Sequence, residues 1–275
     1  ETMFGKLCKY EWRYMLRIFL PMWALVLVLS VVNRFTLYID STSPLSGRIE
    51  GLALLALVFA CCALGIVAIV MIVQRFYQGL LKDEGYLMFT LPVKSGMLIN
   101  AKGVTAVLLL AITGIVGALV FVIISTRLVT WEEIQNTFGY LIESLNHYQI
   151  SGFTVFMAVL WGVIAGLMGI AAQLYQIYLA IAIGQLGKKH RVALAVVSYL
   201  GINIVLSWLT SWAAYFMGRS EVLKDWFHTW DFNNFAESFK FMVGVEALGA
   251  VAAFLLTLVF FFITRYILEK HLNLE

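Results

Sequence analysis

Six stretches of this chain run for sixteen residues or more without a formal charge, and no other feature limits its fold so strongly. They are Ile18–Asn33, Gly51–Gln74, Gly103–Thr126, Tyr148–Gly187, Val192–Gly218 and Phe241–Thr264, the last interrupted only by Glu246. A helix needs about 20 apolar residues to cross a bilayer. Inside hydrocarbon each backbone N–H and C=O must find its partner within the segment, so such runs become helices. Spans are therefore expected at about 18–37, 51–74, 103–126, 152–183, 192–217 and 241–266. Tyr148–Gly187 is too long for one straight span; it should start outside the hydrocarbon and has room for a bend. With 62% hydrophobic and only 13% charged residues in 275, no separate soluble domain has room. The expectation is an all-α membrane protein forming a single transmembrane domain, residues 1–275.

Orientation follows from Lys and Arg. With the N-terminus in the cytoplasm, thirteen of the nineteen fall inside: Lys6, Lys9, Arg13, Arg17, Arg75, Lys82, Lys94, Lys102, Lys188, Lys189, Arg191, Arg265 and Lys270. Both termini are expected inside. Glu1-Thr2 and Leu274-Glu275 are given no weight, and the long charged opening is not that of a cleavable signal peptide. Met3–Arg17 mixes Phe4, Leu7 and Leu16 with those first four cations and with Tyr10, Trp12 and Tyr14. It reads as an amphipathic interfacial helix (3–17), with a break suited to Pro21; the alternative is that it extends the first span into water. Between the last two spans, 219–240 holds Trp226, Phe227, Trp230, Phe232, Phe235 and Phe239 among four acids. So aromatic an outer segment should lie at the interface or dip into the membrane.

Catalytic patterns are missing. His147, His190, His228 and His271 are scattered, and there is no HExxH, no G-x-S-x-G and no P-loop. Cys8, Cys61 and Cys62 form neither a zinc spacing nor a disulfide framework. The net charge of +3 is spread over loops, which leaves no nucleic-acid patch. The chain is thus read as a non-enzyme with no cofactor or metal of its own.

The most informative loop follows span two, from Gln74 to Lys102. Phe76, Tyr77, Leu80 and Leu81 continue at helical spacing, so span two runs on beyond the membrane. Tyr86, Leu87, Met88, Phe89 and Leu91 then cluster, edged by Lys82, Asp83, Glu84 and Gly85, and Pro92 ends the run. Ser95 can cap the helix that becomes span three. An apolar cluster at an aqueous face must cover itself against a partner or the membrane surface.

The run Asp83-Glu84-Gly85-Tyr86-Leu87-Met88-Phe89-Thr90-Leu91-Pro92-Val93 resembles one found in permease subunits of ABC-2-type (type V exporter-like) ABC transporters of Gram-positive bacteria. The opening into Arg17-Ile18-Phe19-Leu20-Pro21 is similar, as is the layout of the whole chain; the specific motif spans about a dozen residues. The resemblance implies that 76–95 is a cytoplasmic coupling segment seated in a separate ATPase. It implies two ATPase subunits carrying ATP and Mg, a second permease copy or paralogue, a bacterial cytoplasmic membrane, and export. Permeases for amphipathic peptide toxins or antimicrobial peptides share this compact build.

Weaker features accompany it. Asn203, Ser207, Thr210 and Ser211 share one face of span five and line either a conduit or a helix contact. Gly162 and Gly166 form a GxxxG, usually a packing device; Gln173 and Gln176 could face a cavity or another helix. Glu246, an acid inside a span, is a functional suspect by default. Trp226, Phe227, Trp230 and Phe232 would form an outer gate. The leading reading is the pathway-forming subunit of an ATP-driven exporter of an apolar or amphipathic substrate. The rivals are a secondary transporter, an intramembrane enzyme, or a membrane sensor or immunity protein.

Overall fold

The computed structural model describes residues 3–36, 44–81, 95–128, 131–187 and 190–270. These are helical almost throughout: α1 (Met3–Thr36), α2 (Pro44–Leu81), α3 (Ser95–Leu128), α4 (Trp131–His147), α5 (Gly152–Gly184), α6 (Arg191–Arg219), α7 (Glu221–His228) and α8 (Phe235–Lys270). Six of them, α1, α2, α3, α5, α6 and α8, are long and apolar enough to cross a membrane, which makes this a multi-pass membrane protein. Large side chains such as Phe59 and Phe121, each 71% exposed, line their outer faces, as lipid-facing positions require.

The chain divides into two compact units, 1–80 with 100–140, and 81–99 with 141–275. The first holds α1, α2 and most of α3. On α1 a single stripe is buried, Glu11, Met15, Phe19, Val26, Ser30 and Asn33; on α2 it is Leu57, Leu64, Ala68, Ile72 and Phe76. Both follow the helical repeat. Few polar side chains bridge the helices. Trp23 Nε1 donates to Thr113 Oγ1 at 3.1 Å, and Asn33 Nδ2 donates to the Ala53 carbonyl at 2.8 Å.

In the second unit α5 packs along α8, and meets α6 at its far end. Its buried residues concentrate in the C-terminal half of α5 (Ala171 to Gly184) and the C-terminal half of α8 (Ala250 to Leu268). Ser151 caps α5, accepting from the Thr154 N–H at 3.2 Å. At the α5–α6 corner Gly184 is required by close approach: a Cβ there would lie 2.7 Å from both Ala195 Cβ and the Arg191 carbonyl.

The span expected at 152–183 is one helix of 33 residues, Gly152–Gly184. Two features differ from expectation. Residues 3–17 form no separate helix; α1 runs unbroken through Pro21, which removes one backbone bond that the rest of a 34-residue helix easily outlasts. And α4, with Glu132 and Glu133 in its first turn, was not anticipated, because it is too polar to register as a span. It ends at Gln149, whose φ of 53° places it in the left-handed region. The Ile150 and Gln149 N–H groups bond back to the Leu145 and Asn146 carbonyls, a Schellman ending made without glycine.

Candidate functional site

The segment Lys82, Asp83, Glu84, Gly85, Tyr86, Leu87, Met88, Phe89 and Leu91 lies outside the described residues; the helices that deliver it on either side do not. Each is tied down by a carboxylate.

On the α2 side the carboxylate is Glu11. The four cations Lys6, Lys9, Arg13 and Arg17 recur on one face of α1, at i, i+3, i+7 and i+11. Glu11 sits on the opposite face with buried Met15 and Phe19, and is itself only 4% exposed. Arg75 of α2 donates from Nε to Glu11 Oε2 at 2.7 Å and from Nη2 to Oε1 at 3.3 Å. Lys102 of α3, 3% exposed, donates to Oε1 at 2.6 Å. The Tyr14 ring covers the Arg75 guanidinium at 4.5 Å from its centroid. One acid thus gathers three helices.

On the α3 side the carboxylate is Glu269, on the last turn of α8. It accepts from Ser95 Oγ and, at 2.8 Å, from Arg265 Nε one turn earlier. Gly96 lets the two helices close: a Cβ there would sit 3.2 Å from the Phe261 ring and 3.4 Å from Arg265 Cδ. Leu98 and Ile99 are buried beyond it. Ser95, expected only as a cap, therefore also anchors α3 to α8.

Among the described residues the polar side chains of the α6 stripe bond only within their own helix. Asn203 Nδ2 donates to the Tyr199 carbonyl at 2.8 Å and Thr210 Oγ1 to the Ser207 carbonyl at 3.0 Å, both within α6. No residue of α6 is buried, so Ser207, Thr210 and Ser211 face outward. Beside them runs an aromatic ladder: Trp208–Trp212 at 6.2 Å, Trp212–Phe216 at 5.6 Å, and Tyr215, whose hydroxyl accepts from Arg219 at 2.6 Å.

Glu246 is half-buried on α8 and faces Gly162 of α5; a Cβ on that glycine would stand 3.9 Å from Glu246 Oε2. Among the described residues it makes no hydrogen bond or ion pair. Among the described residues nothing lies within 4 Å of a Cβ at Gly166. Gln176 is 1% exposed, and among the described residues its Nε2 has no hydrogen-bond partner.

In the segment 219–240 the aromatics converge on Phe241. Trp226 lies 5.8 Å from its ring, Trp230 5.5 Å and Phe232 5.2 Å, and Trp230 stacks edgewise on Trp226 at 6.0 Å. The Phe227 side chain is outside the described residues. Tyr148, at the start of the long uncharged run, reaches Phe235 at 4.7 Å.

The two carboxylate ties escaped the sequence reading. Glu11 is the only acid among residues 3–39, set among four cations, and that isolation was the available signal. Arg75 and Lys102 entered only as topology charges. Glu269 had no signal apart from Arg265 one turn before it. No group of three or more metal-ligating side chains occurs among the described residues. No family model, curated protein or solved structure matches the chain.

Proposed function

We propose that this chain is the membrane-embedded, non-catalytic subunit of an ATP-driven exporter of the ABC-2 kind, which moves an apolar or amphipathic peptide. The supporting observation is the way the segment 82–94 is mounted. Its α2 end is held through Arg75 to α1 and α3, and its α3 end through Ser95 to α8. Force applied to the segment by a partner then reaches helices of each unit, instead of dissipating in a loose loop. Tyr86, Leu87, Met88 and Phe89 fill a groove on the ATPase, with Asp83 and Glu84 at its rim. Closure of two ATP-bound partners moves the segment, and the helices exchange between inward- and outward-facing arrangements. A second copy or paralogue completes the pathway beside α6, with Asn203, Ser207, Thr210 and Ser211 toward the conduit. The Trp226–Trp230–Phe232 cluster closes its outer end.

The test is co-purification. The tagged full chain, extracted from its native membrane in mild detergent, carries ATP hydrolysis with it. Leu87→Asp reaches the membrane in equal amount and loses at least tenfold of that activity, since a buried apolar anchor commonly supplies about 2 kcal/mol or more. Wild-type chain that brings no ATPase, or Leu87→Asp that retains it together with full transport, defeats the proposal.

The unpartnered Glu246 favours one rival, a proton-coupled secondary transporter. Under that reading transport collapses when the proton gradient is dissipated at constant ATP, and Glu246→Gln abolishes it. Under the ATP-driven reading neither happens.

A further inference from the structure

Between the spans α3 and α5 lies a helix that the exporter reading does not use. α4 is amphipathic along its whole length. Ile134, Phe138, Leu141, Ile142 and Leu145 fall within an arc of about 100°, and Glu132 and Glu143 lie opposite it. Phe138, Leu141 and Ile142 are 62%, 53% and 60% exposed, so most of this apolar stripe is uncovered by the described residues. From 128 to 187 the chain has no Lys or Arg, so α4 carries acids and no such cation.

Its connections fix where that stripe is. α4 is too short and too polar to be a span, so α3 ends and α5 begins on one and the same face of the membrane. Two residues join Leu128 to Trp131 and four join His147 to Gly152. Fully extended, those links reach about 11 Å and about 18 Å. The second is folded back: the Gln149 and Ile150 N–H groups return to the Asn146 and Leu145 carbonyls. Tyr148 also rests on Phe235, the first residue of α8, at 4.7 Å between ring centres. A helix of 17 residues is about 25 Å long. Stood on end, α4 would carry one end farther from the membrane than its link can follow, so it lies along the surface.

We propose that α4 is an interfacial helix whose apolar stripe binds lipid at that face. Phe138, Leu141 and Ile142 enter the boundary between headgroups and acyl chains, a depth of about 5–10 Å for helices of this kind. A helix held flat there has one side toward hydrocarbon and one toward water, and the two sides of α4 match that division. Tyr148 at its end has the amphipathic ring that is enriched at this level. Many interfacial helices add Lys and Arg that attract anionic headgroups. α4 has neither, so burial of apolar surface holds it and headgroup charge does not. A protein partner would first have to displace the lipid that already adjoins the stripe. The proposal depends only on α3 and α5 being spans, so it stands or falls apart from the exporter reading.

The experiment uses the unaltered full chain in phosphatidylcholine vesicles containing a trace of phosphatidylcholine made photoreactive near the glycerol end of its acyl chain. Peptide mapping finds adducts on Phe138, Leu141 and Ile142 and none on Glu132 or Glu143. Phe121, exposed near the end of α3, is the positive control. Half-molar salt leaves the adducts in place, since no attraction between charges is screened. A second measurement places one cysteine, Phe138→Cys or Glu143→Cys, in a chain carrying Cys8→Ala, Cys61→Ala and Cys62→Ala, and labels it with a fluorophore. Brominated phosphatidylcholine quenches the label at 138, and aqueous iodide reaches the label at 143 about tenfold more readily than that at 138. Adducts on Phe121 with none on α4, adducts lost in salt, or equal access of iodide to the two labels each overturns the proposal. A label at 138 that is shielded from iodide yet untouched by brominated lipid overturns it too, and assigns the stripe to a protein, a second copy of this chain included.

Discussion

Glu11 and Glu269 perform one task in two settings. Each carboxylate holds a helix beside the segment 82–94, and each is bound by an arginine Nε at 2.7 or 2.8 Å. Glu11 does so with its side chain 6% exposed and two cations upon it, Glu269 with 40% exposure and one. At a surface the Coulomb gain is largely cancelled by screening and side-chain entropy, and such a pair is worth little. In a buried cluster the large terms are the desolvation of each ion and the damage done when one partner goes. The same geometry therefore builds a fixed joint around Glu11 and a releasable one at Glu269.

The sharpest way to break the contrast is Glu11→Ala. It leaves Arg75 and Lys102 buried without their shared anion, and the expected loss is about 3–5 kcal/mol. That loss is read as a collapse of monodisperse yield in detergent and a large fall in thermal midpoint. Glu11→Gln keeps the shape without the charge and should recover little. If Glu11→Ala is as benign as Glu269→Ala, burial does not distinguish the two sites.

Lys102→Met comes next. Glu11 keeps its two bonds to Arg75, and one charged hydrogen bond disappears together with one buried ion. The net change is on the order of 1.5–3 kcal/mol at most, smaller than for Glu11→Ala because no charge is left alone. A thermal midpoint below that of Glu11→Ala would show Lys102, rather than the carboxylate, to be the centre of the cluster.

Glu269→Ala should cost least, within about 1 kcal/mol, and half-molar salt should erase much of its difference from wild type. Its functional effect is expected to be larger than its effect on stability. If Ser95 and Glu269 pass movement from the segment to α8, transport falls while ATP hydrolysis by the partner continues. A stable Glu269→Ala with normal transport would reduce the contact to a surface ion pair.

Much of the architecture was legible before any coordinates. Long uncharged runs around Leu57, Leu109, Leu179 and Phe260 can form nothing but helices in hydrocarbon, so class and number of spans follow from composition along the chain. Less legible was where each run ended. A helix that leaves the membrane goes on while its backbone bonds hold, as α1 does through Pro21, and α4 ends on Gln149 where a glycine would have advertised the turn. Hydropathy was silent on which faces meet. Leu174 and Leu209 look alike in sequence, yet one is 2% exposed and the other 61%, because lipid accepts an apolar side chain as readily as a neighbouring helix does.

What the sequence determined by itself is therefore the class of protein, the set of apolar helices and the cationic face of α1, each written in charge and spacing along one segment. Only the tertiary structure decided that Glu11 joins Arg75 and Lys102 across separations of 64 and 91 residues, and that Ser95 meets Glu269 across 174. It alone placed Glu246 opposite Gly162 and set Gly184 of α5 against Ala195 of α6. Helix formation is dictated locally by backbone hydrogen bonds and side-chain transfer energy. The pairing of ions between helices depends on how those helices are rotated and set against one another, and no single segment carries that information.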